Sequence, residues 1–426
     1  MSISPARLAA FRSLLAIETE GAFSSDALAV VEPELGEKDR SLCHELVLGS
    51  LRRQIYLDRL IDKLARGKKL DPVVRISLRL GIYQLLFLNK VPDYSAINES
   101  VELVRRAKKV SATGFVNAIL RRLTRERVEP DRTDETDQVV LMTSHPRWLI
   151  ERWTKEFGLD SARQIAVANN EIPPIAFRAT NKTGAIELDH FGKKSEVVAG
   201  CYLPNGISTE LRELEASGNI YFQDEASQMV ASTVRVSSGG RLLDICASPG
   251  SKTGHIAYNS TGMIVAGDVR TNRVSLLCDN LSRQGVNSVF VCQHDATRGL
   301  PFADSSFDIV LIDAPCSGTG TIRHNPEIRY RLGPEDFKRH ADKQLTILKN
   351  ASKLVKIGGR IVYSTCSIER VENEDVIQGF IAENSSFELL PPNVNRQFIT
   401  DEGFARTFPH RDNMDGFFIA DIKPLD

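Results

Sequence analysis

Two short segments of the chain each end an apolar run in a cysteine: Ile312-Asp313-Ala314-Pro315-Cys316-Ser317-Gly318 and Val362-Tyr363-Ser364-Thr365-Cys366-Ser367. A lone cysteine in a core is ordinarily a small, inert hydrophobe. Two at the ends of consecutive predicted strands, with Asp313 alongside, are placed for nucleophilic chemistry, in which the thiolate is the reactive species. A free thiol is mostly protonated at neutral pH, so the site must favour the thiolate or help its proton leave. Residue type alone leaves either thiol as the nucleophile.

A third segment, Asp244-Ile245-Cys246-Ala247-Ser248-Pro249-Gly250-Ser251-Lys252, is a turn of small residues whose backbone amides can approach an anionic group at a helix start. Asp268 follows Asp244 by 24 residues, the spacing of an acid that accepts from ribose hydroxyls, and Asp295 ends the next predicted strand. The turn contains neither G-x-G-x-x-G nor G-x-x-x-x-G-K-[ST], so a nucleoside without phosphates fits better than a nucleotide. S-adenosylmethionine is such a ligand. Its carboxylate can meet the amides of Cys246 to Lys252, its ribose Asp268 and its adenine Asp295.

The elements that must position these groups lie after Gly218. Short apolar runs at 241–245, 263–266, 288–291, 308–312 and 360–363 alternate with helix-length sequence, and 387–390 with 417–422 read as a closing hairpin. Such alternation predicts a parallel sheet with helices on both faces, whose ligand site lies beyond the carboxyl ends of the strands. The reactive residues fall at those ends.

The first 128 residues read as a helical bundle. Leu57, Leu60, Ile61 and Leu64 form one apolar stripe, and Val74, Leu78, Ile82 and Leu85 a second; Ile97, Val101 and Val104, then Phe115, Ile119 and Leu123, continue the pattern. The net charge of -1 conceals an asymmetry: residues 51–127 carry 18 Lys and Arg against 7 Asp and Glu. A basic surface on this scale fits phosphates, with Arg105, Arg106, Lys108, Lys109, Arg121, Arg122, Arg125 and Arg127 facing solvent or RNA. The polar, acidic stretch 129–140 reads as a linker. A helix from Pro146 to Gly158 with Trp153 in the core, and a strand at 175–180, open a small α/β subdomain at 141–218.

Bulk composition narrows the class. A chain of 426 residues with 42% hydrophobic and 26% charged residues is expected to hold two or three cores, and its longest apolar run, 81–88, is too short to span a bilayer. Seven cysteines without a C-x2-4-C pair predict reduced thiols, no metal site and a cytoplasmic location.

Ser248, Pro249 and Lys252 in the first turn, the Asp-Ala-Pro-Cys-Ser-Gly of 313–318, the Tyr-Ser-Thr-Cys-Ser of 363–367, Gln223-Asp-Glu-Ala-Ser-Gln228 and Asp415-Gly-Phe-Phe-Ile-Ala420 together resemble the RNA cytosine-C5 methyltransferases. Gly81-Ile-Tyr-Gln84, Asn98-Glu99 and 114–121 resemble the NusB-like RNA-binding domain that precedes the catalytic core in the Sun/RsmB branch. The resemblance implies a Rossmann-like class I S-adenosylmethionine-dependent methyltransferase domain at 219–426, preceded by an all-α NusB-like domain at 1–128 and the small α/β subdomain. It implies Cys366 as the nucleophile on carbon 6 of cytosine, Asp313 on the base near N3, and Cys316 in resolution of the adduct. The target base must be unpaired or flipped out to be reached. The implied partner is 16S ribosomal RNA, naked or in an assembling small subunit; the sequence does not fix the oligomeric state, and a monomer is favoured. A tRNA methyltransferase of the same chemistry, or an inactive RNA-binding assembly factor, are the alternatives. Ser248 and Ser251 depart from the family's Ala-Pro-Gly-Gly-Lys turn, and a serine at 251 would be strained were positive φ needed there.

Overall fold

The computed structural model describes residues 3–425, and by compactness these form two units, 3–171 with 322–332 and 172–321 with 333–425.

The first unit is all helical. Helices Pro5–Thr19, Ser24–Val31, Glu37–Arg52, Gln54–Leu64, Pro72–Phe87, Asp93–Arg106 and Thr113–Leu123 enclose one core. The predicted stripes face it: Leu57, Leu60, Ile61, Leu64, Val74, Leu78, Ile82, Ile97, Val104 and Ile119 are all buried there. Pro72 stands in the first turn of its helix, where its missing N–H costs nothing, and Asp71 caps that turn by accepting from Val73 N at 3.0 Å. The eight Lys and Arg between 105 and 127 named above are exposed. Arg79 is an exception to the surface reading of the basic segment. It is buried, and Asp58 and Glu18 bind its guanidinium from two directions.

The stretch read as a linker, 129–140, is only partly one. Asp134 caps a helix Glu135–Thr143 through Asp137 N at 2.7 Å, and buried Asp137 accepts from Arg59 at 2.7 Å. Hydrogen bonding to Arg59 holds the Asp137 carboxyl below its usual range. Helices Arg147–Phe157 and Leu159–Ala168 follow, with Trp153 fully buried and Gly158 at φ 81° closing the first of them. These helices belong to the first unit, so the expected subdomain at 141–218 is divided between the two.

Residues 322–332 also belong to the first unit, although they follow the Cys316 segment in sequence. Arg329, fully buried, donates to Thr143 O at 3.0 Å, Asn170 Oδ1 at 2.8 Å and Asn169 O at 3.2 Å. Tyr330 donates to Leu51 O and Ser144 O, and Glu327 accepts from Ser24 N at 2.8 Å.

The second unit holds two sheets. β1 (Phe177–Ala179), β2 (Lys193–Lys194), β3 (Cys201–Leu203) and β4 (Ile220–Phe222) form a small antiparallel sheet in the order β2-β3-β1-β4. The larger sheet contains β5 (Arg241–Asp244), β6 (Met263–Asp268), β7 (Val289–Gln293), β8 (Phe307–Asp313), β9 (Val355–Thr365), β10 (Phe387–Leu390), β11 (Ala405–Arg406) and β12 (Phe418–Pro424). Its order is β10-β12-β9-β8-β5-β6-β7, with β11 beside β12. β5 to β9 pair in parallel, and β12 runs antiparallel between β9 and β10. The chain winds outward from β5 through β6 and β7, then returns to the other side of β5 as β8. Strand order therefore reverses between β5 and β8, which makes their carboxyl ends the expected ligand crevice. Apolar layers cover both faces of the sheet. This is the Rossmann-like class I methyltransferase architecture.

Candidate active site

Every strand from β5 to β9 delivers a candidate side chain at its carboxyl end: Asp244 ends β5, Asp268 ends β6, Asp295 lies two residues beyond β7, Asp313 ends β8 and Cys366 follows β9. Parallel pairing brings these ends to one edge of the sheet.

Asp313 sits at the centre of one cluster. Lys252 Nζ donates to its Oδ2 at 2.7 Å and Ser364 Oγ to its Oδ1 at 2.8 Å, so both carboxylate oxygens are held. Lys252 is buried, with its ammonium 5.0 Å from the centre of the Phe417 ring. Burial alone would lower its pKa, but the charge and hydrogen bond of Asp313 outweigh that, with Cys366 and Asp244 adding to them, and the pKa rises. Lys252 is thus a fixed cation beside both an acid and a thiol.

The cysteines form a second cluster. Cys316 Sγ and Cys366 Sγ are 3.4 Å apart. The Cys316 thiol is pushed well above its ordinary pKa, first by its hydrogen bond with Cys366, then by burial, then by the charges of Cys366 and Glu372. Either sulfur can be the donor in this contact.

Beneath the thiols lies Glu372, fully buried at 0% exposure. Its carboxylate accepts from Ser317 N at 2.9 Å, Ser317 Oγ at 2.5 Å and Ser367 Oγ at 2.5 Å. Asn373 accepts from Thr365 Oγ1 at 2.5 Å and donates to Ser367 O at 2.8 Å, bracing the residues on either side of Cys366. Neither Glu372 nor Asn373 was singled out in sequence, since a single acid early in a helical stretch carries no signature of its own.

The first turn is built around Gly250. Its φ of 99° and its amide bond to Ala247 O at 2.7 Å close the turn, and helix Ser251–Tyr258 starts immediately after it. The left-handed residue is glycine, where it costs least. Ser251 opens the helix without positive φ, so the serine at that position brings no backbone strain. Asn280 Nδ2 donates to Pro249 O and Arg273 to Ser248 O, both at 2.8 Å, and Arg178, buried, donates to Ser251 O at 2.8 Å. Cys246 lies in this turn, its thiol pKa raised by burial ahead of the nearby carboxylates.

Asp268 accepts from Val269 N at 2.8 Å and from Arg273 Nε at 3.1 Å, so Arg273 joins it to the Ser248 turn. Asp295 accepts from Thr297 Oγ1 at 2.6 Å and Thr297 N at 3.0 Å through Oδ1, and these bonds hold its carboxyl below the usual range. Asp244 is buried, and desolvation raises its pKa to about 7 against the hydrogen bond from Thr253 at 2.7 Å. Its buried Oδ1 makes no hydrogen bond, which leaves an acceptor at the carboxyl end of β5.

Comparison with known proteins supplies the family. The family model described as 16S rRNA methyltransferase RsmB/F matches residues 231–423, the NusB family model residues 4–125, and an RsmF/B-like ferredoxin-like domain residues 145–186. The chain is 33% identical to the probable ribosomal RNA small subunit methyltransferase B of Bacillus subtilis, over 97% of each chain. It is 33% identical to the ribosomal RNA small subunit methyltransferase B of Pseudomonas putida, over 98% of each. The crystal structure of PH0851 superposes with a TM-score of 0.86 at 25% identity, covering 99% of both chains. No helix among the described residues is long and apolar enough to cross a membrane. Similarity at this level over the whole length shows that the chain belongs to the ribosomal RNA small subunit methyltransferase B family.

Proposed function

We propose that this protein transfers a methyl group from S-adenosylmethionine to carbon 5 of a cytosine in 16S ribosomal RNA in the cytoplasm, with Cys366 as covalent nucleophile. The observation that carries this reading is the pair Cys316 and Cys366, 3.4 Å apart, beside the Lys252–Asp313 ion pair of 2.7 Å. The names of the relatives support the choice of RNA.

The crevice fits the cofactor. The unsatisfied, buried Oδ1 of Asp244 offers an acceptor for an ammonium, and the amides that open helix Ser251–Tyr258 offer donors for a carboxylate. Asp268 and Asp295, on the next two strands, offer acceptors for the ribose and the adenine edge. When bound, S-adenosylmethionine supplies an electrophilic methyl group on a sulfonium.

Carbon 5 of cytosine is too weak a nucleophile to take that methyl group unaided. Addition of the Cys366 thiolate to carbon 6 breaks the 5,6 double bond and moves its electron pair toward carbon 5. Lys252 favours the thiolate electrostatically, and Cys316 stabilises it by donating its S–H. Asp313, fixed by Lys252 and Ser364, accepts a hydrogen bond from the base edge near N3 and orients it, and the adjacent Lys252 cation steadies the negative charge that develops there. Once carbon 5 carries the methyl group, Cys316 helps resolve the adduct. The carbon 5 proton passes to solvent water, the 5,6 double bond re-forms and the Cys366 thiolate is expelled.

Lys252→Met is expected to lower kcat by about 100-fold, because it removes a preorganised charge next to the developing anion. The check is initial rates of methyl transfer across a substrate series, with folding followed by thermal denaturation. The function itself is tested by mapping 5-methylcytosine in ribosomal and transfer RNA from cells with and without the protein. Loss of a single site in 16S RNA is expected. Loss confined to transfer RNA, or from neither, would overturn the substrate assignment.

A further inference from the structure

Glu372 holds the two cysteine loops through one carboxylate. Ser317 follows Cys316 and Ser367 follows Cys366, and the two serine hydroxyls each lie 2.5 Å from Glu372 Oε2. The Ser317 amide occupies Oε1 at 2.9 Å. The loops come from β8 and β9, 50 residues apart in sequence, and the serine hydroxyls also meet one another at 3.2 Å. Gln344 joins the same group, donating to Pro315 O at 3.0 Å. Glu372 therefore fixes the residue after each thiol while touching neither sulfur.

We propose that Glu372 is the positioning residue for the two thiols, setting the Cys316–Cys366 separation on which proton donation and release of the adduct both depend. The proposal rests on the cysteine roles proposed above. A buried carboxylate that accepts from the Ser317 amide, both serine hydroxyls and Gln344 Nε2 is a rigid anchor, since removing it leaves those donors unsatisfied in a dry environment. It also places a negative charge on the Cys316 side, and that charge contributes to keeping Cys316 protonated.

The test uses the full-length protein and phenylarsine oxide, which condenses with two adjacent thiols to give an arsenic dithiolate and one water. Wild-type protein is expected to take up one equivalent at Cys316 and Cys366, and C316A none at this site. E372A is expected to slow that uptake tenfold or more, and E372Q, which keeps one acceptor oxygen, by less. In both, S-adenosylmethionine binding stays near wild type, kcat for RNA methylation falls at least tenfold, and KM changes little. In E372Q, which lacks the charge, iodoacetamide alkylation of Cys316 is expected to reach half-maximum at a lower pH than in wild type. A general loss of packing would not produce that shift. Should E372A fail to fold, the S317A/S367A double variant removes both hydroxyls and leaves the acid in place. A folded E372A or S317A/S367A protein that captures the arsenical at the wild-type rate overturns the proposal. Failure of the cysteine assignment shows up separately, as full methylation by C366S, because arsenical capture requires only the thiols and no turnover.

Discussion

Cys366→Ser is expected to lower methyl transfer from labelled S-adenosylmethionine to small-subunit RNA by on the order of 10^4-fold or more. A serine hydroxyl is far less acidic than a thiol, and a lysine cation that can favour a thiolate cannot produce an alkoxide at neutral pH. The loss corresponds to at least about 5 kcal/mol of transition-state stabilisation. Cofactor affinity should be nearly unchanged, because Asp268, Asp295 and the Gly250 turn lie on other strands. Equilibrium binding and single-turnover transfer, measured on the same preparation, separate the two effects. Normal turnover by the serine variant would falsify the covalent mechanism.

Cys316→Ala has the opposite signature. The nucleophile remains, so addition and methyl transfer proceed, and release fails. A protein–RNA adduct resistant to denaturant is expected to accumulate to near stoichiometry, read as a shifted band on a denaturing gel, while steady-state turnover falls by about 10^2-fold or more. The two variants are therefore not interchangeable losses of a thiol. Cys316 lies 3.4 Å from Cys366, within reach of the thiolate that leaves the adduct. A variant that turned over freely without adduct would remove Cys316 from the release step.

Much of this site was legible because it lies at strand ends. Apolar runs bounded by Asp, Gly and Cys mark β5 to β9, and the reactive residues sit where such runs stop. The limits of the elements were harder. The last parallel strand, expected at 360–363, is Val355–Thr365, because its pairing with β8 continues past Gly358 and Gly359 with a shift in register. A glycine pair reads as a turn, and only the neighbouring strand makes it part of a ladder. The acidic stretch at 129–140 looked unstructured because Arg59, which partners Asp137, is 78 residues away. For the same reason the Lys252–Asp313 bond, which spans 61 residues, and the Glu372 anchor on Ser317, which spans 55, left no trace in local spacing. Residue types announce which chemistry is available. Which residues hold one another is settled by tertiary pairing.

The assignment of 322–332 to the first unit bears on how this chain is made. Synthesis proceeds from the amino terminus, and the first 171 residues emerge without the segment that supplies Arg329 and Tyr330. About 150 further residues must be translated before it appears, which at about 5–20 residues per second takes roughly 10–30 s. During that interval Thr143 O, Asn169 O and Asn170 lack their guanidinium donor and Leu51 O its tyrosine. The helical half is born first but finished late, and the ribosome must release much of the catalytic half before either is complete.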